Sequence, residues 1–483
     1  MTLINTSSQY VNYLFVLNII LALVVVGFER RNPTATLSWL LVMLFLPGFG
    51  FILYLFLGQD LRKVRLFYIK EGEERDIYPF VQQQDENFHN NQLVFNNTRI
   101  QEYKDLIHLH LNNQALYTQD NDVQIYKEGL SLFRELTAAL EQADKFIHIE
   151  YYILRNDNLG RAIMEVLVRK ARAGVEVKLL YDGMGCRHLP RKFFEPLIAA
   201  GGKTAIFFPP LLPYMNLRIN YRNHRKICLI DGQYGFTGGF NIGDEYLGKS
   251  KEFGYWRDTH IRIRGSALDE LELRFLLDWR YASHDNFIAE ARYFPTRLPQ
   301  GNTGVQIVSS GPDSKWSAIK NGYLKMISSA RRNIYLQTPY FVPDDSILEG
   351  LRIAALSGIE VWLIIPGKPD HFFVHWASLS YLGELLEAGV RCFTYNRGFI
   401  HSKLIIIDGL VSSVGTANID IRSFELNFEV NAFIYDAEVS QEFEAVFIQD
   451  LEDCTEITME DYLSRSVSVR VKEAFCRLLS PLL

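Results

Sequence analysis

The sequence predicts an α/β protein of two similar halves related by a pseudo-twofold, preceded by an N-terminal two-helix transmembrane hairpin. Three observations carry this. Two long apolar runs fill the first sixty residues, a strand–helix–strand order occurs twice between residues 120 and 483, and a His-x-Lys string recurs late in each copy. At about 150 residues per domain, 483 residues make roughly three domain-sized units. Apolar residues are 48% and charged residues 22%, which excludes wholesale disorder. A net charge of −6 and a pI near 6.0 exclude a protein that coats nucleic acid, so no nucleic-acid partner is expected. The five cysteines lie far apart with no C-x-x-C pair, which fits reduced thiols rather than a disulfide framework or a zinc site.

The first run, Val11 to Phe28, has Asn12 and Asn18 as its only strongly polar residues; the second, Ala35 to Gly58, has no charge. A helix needs about 20 apolar residues to cross the hydrocarbon core. Neither a basic stretch nor a small-residue cleavage site is present before Tyr10, so a cleaved signal peptide does not fit; a buried core helix would need a large partner surface, and residues 1–60 read best as two spans joined by a tight turn. Pro47, Gly48 and Gly50 interrupt the second run, which membrane helices tolerate. Basic flanks set orientation. Arg62, Lys63, Arg65 and Lys70 outvote Arg30 and Arg31, placing the bulk of the chain in the cytoplasm, on a multi-pass protein of the cell membrane.

Residues 61–120 are polar and rich in Gln and Asn, like a linker or small cap. The repeat follows, with its join near Phe294-Pro295, so the halves run 121–295 and 296–483. In the first, Phe146 to Tyr152 alternates like a strand, a helical stretch follows, and Ala173-Gly174 stops it before the strand from Val175 to Leu180. In the second, Ile334 to Phe341, a helix, and Ser357-Gly358 before Ile359 to Ile365 repeat that order. Two long copies make a pseudo-twofold pair rather than a solenoid, with a partly parallel sheet in each. At the C-terminus Val467, Val471, Phe475, Leu478 and Leu482 form a helical stripe. It fits either a helix lying in a membrane interface or one capping the protein's own core.

The chemistry sits in two matching strings. His224-x-Lys226-x-x-x-x-Asp231 and His401-x-Lys403-x-x-x-x-Asp408 are each followed, six residues on, by Gly-x-x-Asn, ending at Asn241 and Asn418. The apolar residues after each Lys predict a buried strand, on which His and Lys share a face. Asp231 and Asp408 complete the candidate catalytic set, but their opposite parity at the strand end makes them braces rather than contacts to a reacting atom. A phosphodiester needs cations and donors around its non-bridging oxygens. Lys226 and Lys403 supply charge, and Asn241 and Asn418 neutral donors. One His can attack phosphorus and the other protonate the leaving alcohol. Each His is partnered by a Lys, which a divalent ion disfavours, so no metal and no cofactor is expected. Carboxylates should orient the imidazoles; Asp258, 34 residues after His224, and Glu429, 28 after His401, are the candidates.

These strings resemble the HKD motifs of the phospholipase D superfamily. The whole chain is similar to bacterial cardiolipin synthases, through the hairpin with Trp39, Pro47 and Tyr54, the Thr338-Pro339-Tyr340-Phe341-Val342-Pro343 stretch, Asn418-Ile419-Asp420-Ile421-Arg422-Ser423, and the closing Leu479-Ser480-Pro481-Leu482-Leu483. The resemblance implies two phospholipase D-like α/β/α halves with the active site at their seam. It implies an enzyme of the bacterial inner membrane that turns two phosphatidylglycerol molecules into cardiolipin and glycerol through a phosphatidyl-histidine, with His224 the nucleophile and His401 the acid and base. Hydrolysis by a phospholipase D is the alternative, since water can replace the alcohol acceptor. Superfamily members often have Gly-Ser where this chain has Gly238-Gly239 and Gly415-Thr416. The apolar stretch Pro209 to Leu217, with Arg218, Arg222 and Arg225 behind it, fits a loop dipping into the bilayer or one packed on the protein.

Overall fold

In the computed structural model, residues 16–24, 26, 33–54, 78–90, 92, 94–209, 221–285 and 290–480 are described. The basic residues from Arg62 to Lys70, the approach loop beyond Pro209 and Leu482 lie outside them. The chain divides into two units, the first drawn mainly from residues 1–70 and the second holding both halves of the repeat.

In the first unit the second apolar run is divided. A helix Pro33–Phe45 ends at Leu46-Pro47-Gly48, where Gly48 takes a left-handed φ of 77°, and a short helix Phe49–Leu53 follows. Among the described residues no helix is long and apolar enough to cross a membrane. Thirteen residues rise only about 20 Å against about 30 Å of hydrocarbon. The expected single span over Ala35–Gly58 is therefore not one continuous helix, because Pro47 and Gly48 break it. The two runs do meet: the buried Asn18 donates from Nδ2 to the Met43 carbonyl at 2.9 Å. Trp39 and Met43 are buried, while Ile20, Leu23, Leu37, Leu41, Leu44 and Phe45 are exposed.

In the second unit the first half contributes β1 (Thr118–Glu128), β2 (Phe146–Tyr151), β3 (Glu176–Asp182), β4 (Lys203–Phe207), β5 (Arg222–Asn223), β6 (Ile227–Ile230), β7 (Tyr234–Gly238) and β8 (Tyr255–Arg264). The second half contributes β9 (Thr303–Ser310), β10 (Asn333–Gln337), β11 (Phe341–Val342), β12 (Glu360–Pro366), β13 (Arg391–Tyr395), β14 (Gly398–Ile400), β15 (Leu404–Ile407), β16 (Val411–Gly415), β17 (Ile419–Asp420), β18 (Asn427–Tyr435) and β19 (Cys454–Ile457). The first sheet runs β4-β3-β2-β6-β7-β8-β1 and the second β13-β12-β10-β15-β16-β18-β9, the same order in both, with β19 added antiparallel outside β13 in the second. In each, three strands are parallel and the rest antiparallel, and β1 pairs with β9 to join the sheets. The helix stops fall where glycine is needed: Gly174 and Gly358 have φ of 91° and 89°, conformations that L side chains rarely adopt.

Each half has its own apolar core. Ile100, Tyr103, Leu106, Ile107 and Leu111, from the segment whose composition resembles a linker or cap, belong to the core of the second half. The side-chain amide of Gln306 fastens them by donating to the carbonyls of Ile107 and Ala115. The C-terminal helix Val467–Leu478 turns its apolar stripe outward: Val467 and Leu478 are 74% and 75% exposed, and Val471 and Phe475 are also exposed. The buried face carries Cys476 and Glu473, whose carboxylate is paired with Arg465 at 2.7 Å.

Candidate active site

The His-x-Lys tripeptides are not inside strands. His224-Arg225-Lys226 links β5 to β6, and His401-Ser402-Lys403 links β14 to β15. The link is where the chain changes sheets. β5 pairs in parallel with β18 of the opposite half, and β14 pairs in parallel with β8, also of the opposite half. Then β6 and β15 return to their own sheets. Two backbone bonds fix the crossover, from the N–H of His224 to the Phe428 carbonyl at 2.9 Å and from that of His401 to the Arg257 carbonyl at 2.7 Å. The close pairing of β14 with β8 requires Gly398, because a Cβ there would lie 2.0 Å from the Tyr255 carbonyl oxygen.

This exchange pairs each imidazole with a carboxylate from the other half. Nδ1 of His224 lies 3.0 Å from both carboxylate oxygens of Glu429, and Nδ1 of His401 lies 2.7 Å from Oδ2 of Asp258. Nearness in sequence would put Asp258 with His224; the structure crosses the partners. Holding Nδ1 leaves Nε2 of each ring as the atom free to react. The Lys226 ammonium donates to the His224 carbonyl at 2.7 Å and the Lys403 ammonium to the His401 carbonyl, so each curls back to its own histidine.

All these groups are buried, and burial dominates their ionisation. It pulls His224 down to about 4 against the opposing charge of Glu429. It also lowers His401, where the adjacent Lys403 adds to it and Asp258 opposes. Burial brings Lys226 to about 7 and Lys403 to about 8, partly offset by Glu429 and Asp258 respectively. For the two carboxylates burial works upward, but the imidazole and ammonium neighbours outweigh it and both end below their ordinary range. The site therefore holds imidazoles that are neutral at pH 7 and ammoniums close to losing their protons.

As pH rises through about 7 and about 8 the site sheds cationic charge, so binding of an anionic diester weakens there. A bound diester holds those protons on. The alkaline limb of kcat/KM is expected no higher than pH 7–8, and earlier still because the lowered His401 must also take up a proton to serve as the acid, with that of kcat higher and the acid limb well below an ordinary histidine because His224 stays neutral down to about 4. Steady-state pH profiles in mixed micelles check this. An alkaline limb of kcat/KM at the ordinary lysine value of about 10.4 would contradict it.

Asp231 and Asp408 lie at the far ends of β6 and β15. With Gly232 and Gly409 they form Asp-Gly hairpin turns in which both central residues have positive φ, 54° and 65° in the first, 57° and 62° in the second. The Asp231 carboxylate accepts the backbone N–H groups of Asp144, Lys145 and Phe146 at 2.7–2.8 Å. Asp408 accepts those of Arg331, Arg332 and Asn333 and the Tyr103 hydroxyl at 2.6 Å. Asp231→Ala is expected to cost about 2–4 kcal/mol of stability and to leave kcat of the folded fraction within a few-fold. Denaturant titration beside single-turnover assays measures both; a large loss of kcat at unchanged stability would contradict it.

Asn241 and Asn418 are buried. Oδ1 of Asn241 accepts the Ile153 N–H at 3.1 Å, and Nδ2 of Asn418 donates to Asp420 at 3.0 Å. Each amide keeps a further N–H. The Gly239 position, where a hydroxyl is missing, is explained by Asp258: a Cβ there would fall 1.9 Å from its Oδ1. In the other half the longer Glu429 coexists with Thr416, whose hydroxyl hydrogen-bonds the carboxylate and helps keep it ionised.

Sequence reasoning missed several neighbours. Tyr152 sets its ring 4.9 Å from His224, and Trp256 stands 5.3 Å from His401. Tyr152 and Tyr340 come just after β2 and β10, the first of the parallel strands in each half, where the crevice of an α/β sheet lies, and that placement was the available signal. Beneath the imidazoles, Arg225 is paired with Asp278 and Arg257 with Asp450, acids on the equivalent helices Ala267–Ser283 and Ala437–Leu451. The first Arg comes from a His-x-Lys link and the second from the crossed strand, with Ser402 at the link position of the second half.

The model of a cardiolipin synthase, phospholipase D-like domain matches residues 136–276 and 323–451, and that of a phospholipase D-nuclease N-terminal segment matches residues 16–59. The major cardiolipin synthase ClsA of Bacillus subtilis is 50% identical over 479 residues, 99% of each chain. The chain belongs to the cardiolipin synthase family. A cardiolipin synthase of Staphylococcus aureus is likewise 50% identical over 471 residues, 97% of this chain and 95% of that one. A phosphatidylserine synthase of Haemophilus influenzae, at 14% identity and a TM-score of 0.59, covers 78% of this chain and all of its own, and shares the two-half α/β fold. Membership places the crossed histidine pairs of this chain in a family of phospholipid-processing enzymes.

Proposed function

We propose that the protein is a membrane phosphatidyltransferase that makes cardiolipin and glycerol from two phosphatidylglycerol molecules. The observation that carries this is the crossed pair of imidazole–carboxylate couples, His224 with Glu429 and His401 with Asp258, flanked by two buried ammoniums. His224 is the nucleophile: neutral, with Nδ1 held, it attacks phosphorus through Nε2. The bond from phosphorus to the glycerol headgroup breaks as His401 gives that oxygen its proton. The terminal hydroxyl of a second phosphatidylglycerol then loses its proton to His401 and attacks phosphorus, the phosphorus–nitrogen bond breaks, and cardiolipin leaves. Lys226, Lys403 and the free amide hydrogens of Asn241 and Asn418 hold the non-bridging oxygens. The diester's negative charge between the ammoniums raises the proton affinity of His401, so substrate entry itself readies the acid.

The same reading places the chain at a bilayer. Its support is the apolar surface around Leu37, Leu41 and Phe45, the Asn18–Met43 bond joining the two apolar runs, and the outward stripe of the helix Val467–Leu478 with Arg470 and Arg477 on its sequence. Residues 1–60 anchor the protein in the bacterial inner membrane, with the catalytic halves, 121–295 and 296–483, on the cytoplasmic side and the C-terminal helix lying in the interface. Purified enzyme given phosphatidylglycerol labelled in its headgroup tests the activity. One glycerol released per cardiolipin formed is expected; glycerol matched by phosphatidic acid instead would make the protein a hydrolase.

A further inference from the structure

A second cluster of ligating side chains lies outside the catalytic site. Asp85 and His89 stand four residues apart on the helix Tyr78–His89, hence on one face, and His108 comes from the helix Lys104–Leu111. One ligating atom from each lies within 4.8 Å of the others. The Asp85 carboxylate is shared: Oδ1 is 3.0 Å from Nε2 of His108 and Oδ2 is 3.5 Å from Nδ1 of His89, a nitrogen that also lies 2.9 Å from the Asp85 backbone carbonyl and must give up that contact to hold an ion. Four ligands at about 2.0–2.1 Å around a tetrahedral zinc ion sit roughly 3.3 Å from one another, a value that the two spacings to Asp85 bracket. The His108 ring is held by Phe88, stacked on it at 4.5 Å and 7°. Among the described residues the ion-pair partners of Asp85 are the two histidines, and no Lys or Arg is one of them. The catalytic histidines differ on this point, since each has a lysine two residues away.

We propose that Asp85, His89 and His108 bind a divalent transition-metal ion, zinc by their donor set, with water in the remaining position. Two imidazoles and one carboxylate suit zinc and do not suit magnesium or calcium, which take oxygen ligands. The ion clips the two helices together. The second helix continues directly from the turn Thr98–Tyr103, whose Tyr103 hydroxyl donates to Asp408, so the clip steadies the segment that braces the second-half motif. The site acts on stability and takes no part in phosphoryl transfer.

The test uses the full chain in detergent, stripped with a chelator and titrated with zinc chloride by calorimetry and against a chromogenic chelator. One equivalent is expected, with a raised Tm and, on cobalt substitution, the strong visible absorption of a four-coordinate site. His108→Ala and the surface variant His89→Ala should each weaken binding about 100-fold, while His224→Ala binds normally. Magnesium should give no heat and no change in Tm. Absence of stoichiometric zinc binding by the wild-type chain would overturn the proposal, as would binding unchanged in both His89→Ala and His108→Ala.

Discussion

Alanine at either His224 or His401 is expected to lower the rate of cardiolipin formation at least about 1000-fold. The two rings do different jobs, yet neither can do the other's. Nδ1 of each is committed to a carboxylate from the opposite half, which fixes the direction of Nε2. Without His224 there is no atom to carry the phosphatidyl group. Without His401 the glycerol oxygen leaves unprotonated, and the second alcohol arrives with no base. Since both act in one sequence, the double variant should be hardly slower than either single one. The assay is cardiolipin and glycerol release by enzyme of verified fold; activity within 10-fold of wild type in either single variant would contradict the scheme.

Gly239→Ser is expected to cost about 100-fold in kcat, although serine is the residue that related motifs often carry there. A Cβ at this position would fall 1.9 Å from Oδ1 and 2.5 Å from Cγ of Asp258, so the carboxylate must leave its place. Asp258 is fully buried and holds Nδ1 of His401 at 2.7 Å, and a shift of about 1 Å in a positioning group is enough for such a loss. Thr416→Ser, which keeps the hydroxyl beside Glu429, should change the rate only a few-fold. If Gly239→Ser turned over as fast as wild type, Asp258 would not be the group that orients His401. Short Asp with Gly in one half and longer Glu with Thr in the other are two solutions to one packing problem.

Much of this site was legible because its signals are local. In each half the His-x-Lys string, the apolar stretch that becomes β6 or β15, and the Asp-Gly turn lie within ten residues of one another. Their repetition identifies the twofold. The crossing of Glu429 to His224 and of Asp258 to His401 was not legible, since it depends on β5 and β14 leaving their sheets. Periodicity treats each tripeptide as part of a strand and cannot see the change of partner. The C-terminal stripe illustrates a different limit. Helical spacing located Val467, Val471 and Phe475 on one face, but only packing shows that the buried face is the one with Glu473 and Cys476. In the second apolar run, hydropathy summed over Ala35–Gly58 concealed the break that Pro47 and Gly48 impose.

The central claim is that the phosphatidyl group passes through one histidine of a single site shared by both halves. Rapid acid-free quenching of enzyme mixed with phosphatidylglycerol, followed by peptide mass spectrometry, tests it most directly. The account predicts a phosphatidyl adduct on His224, formed and consumed at the rate of turnover and missing in His224→Ala. Full turnover with neither His224 nor His401 ever modified would contradict it.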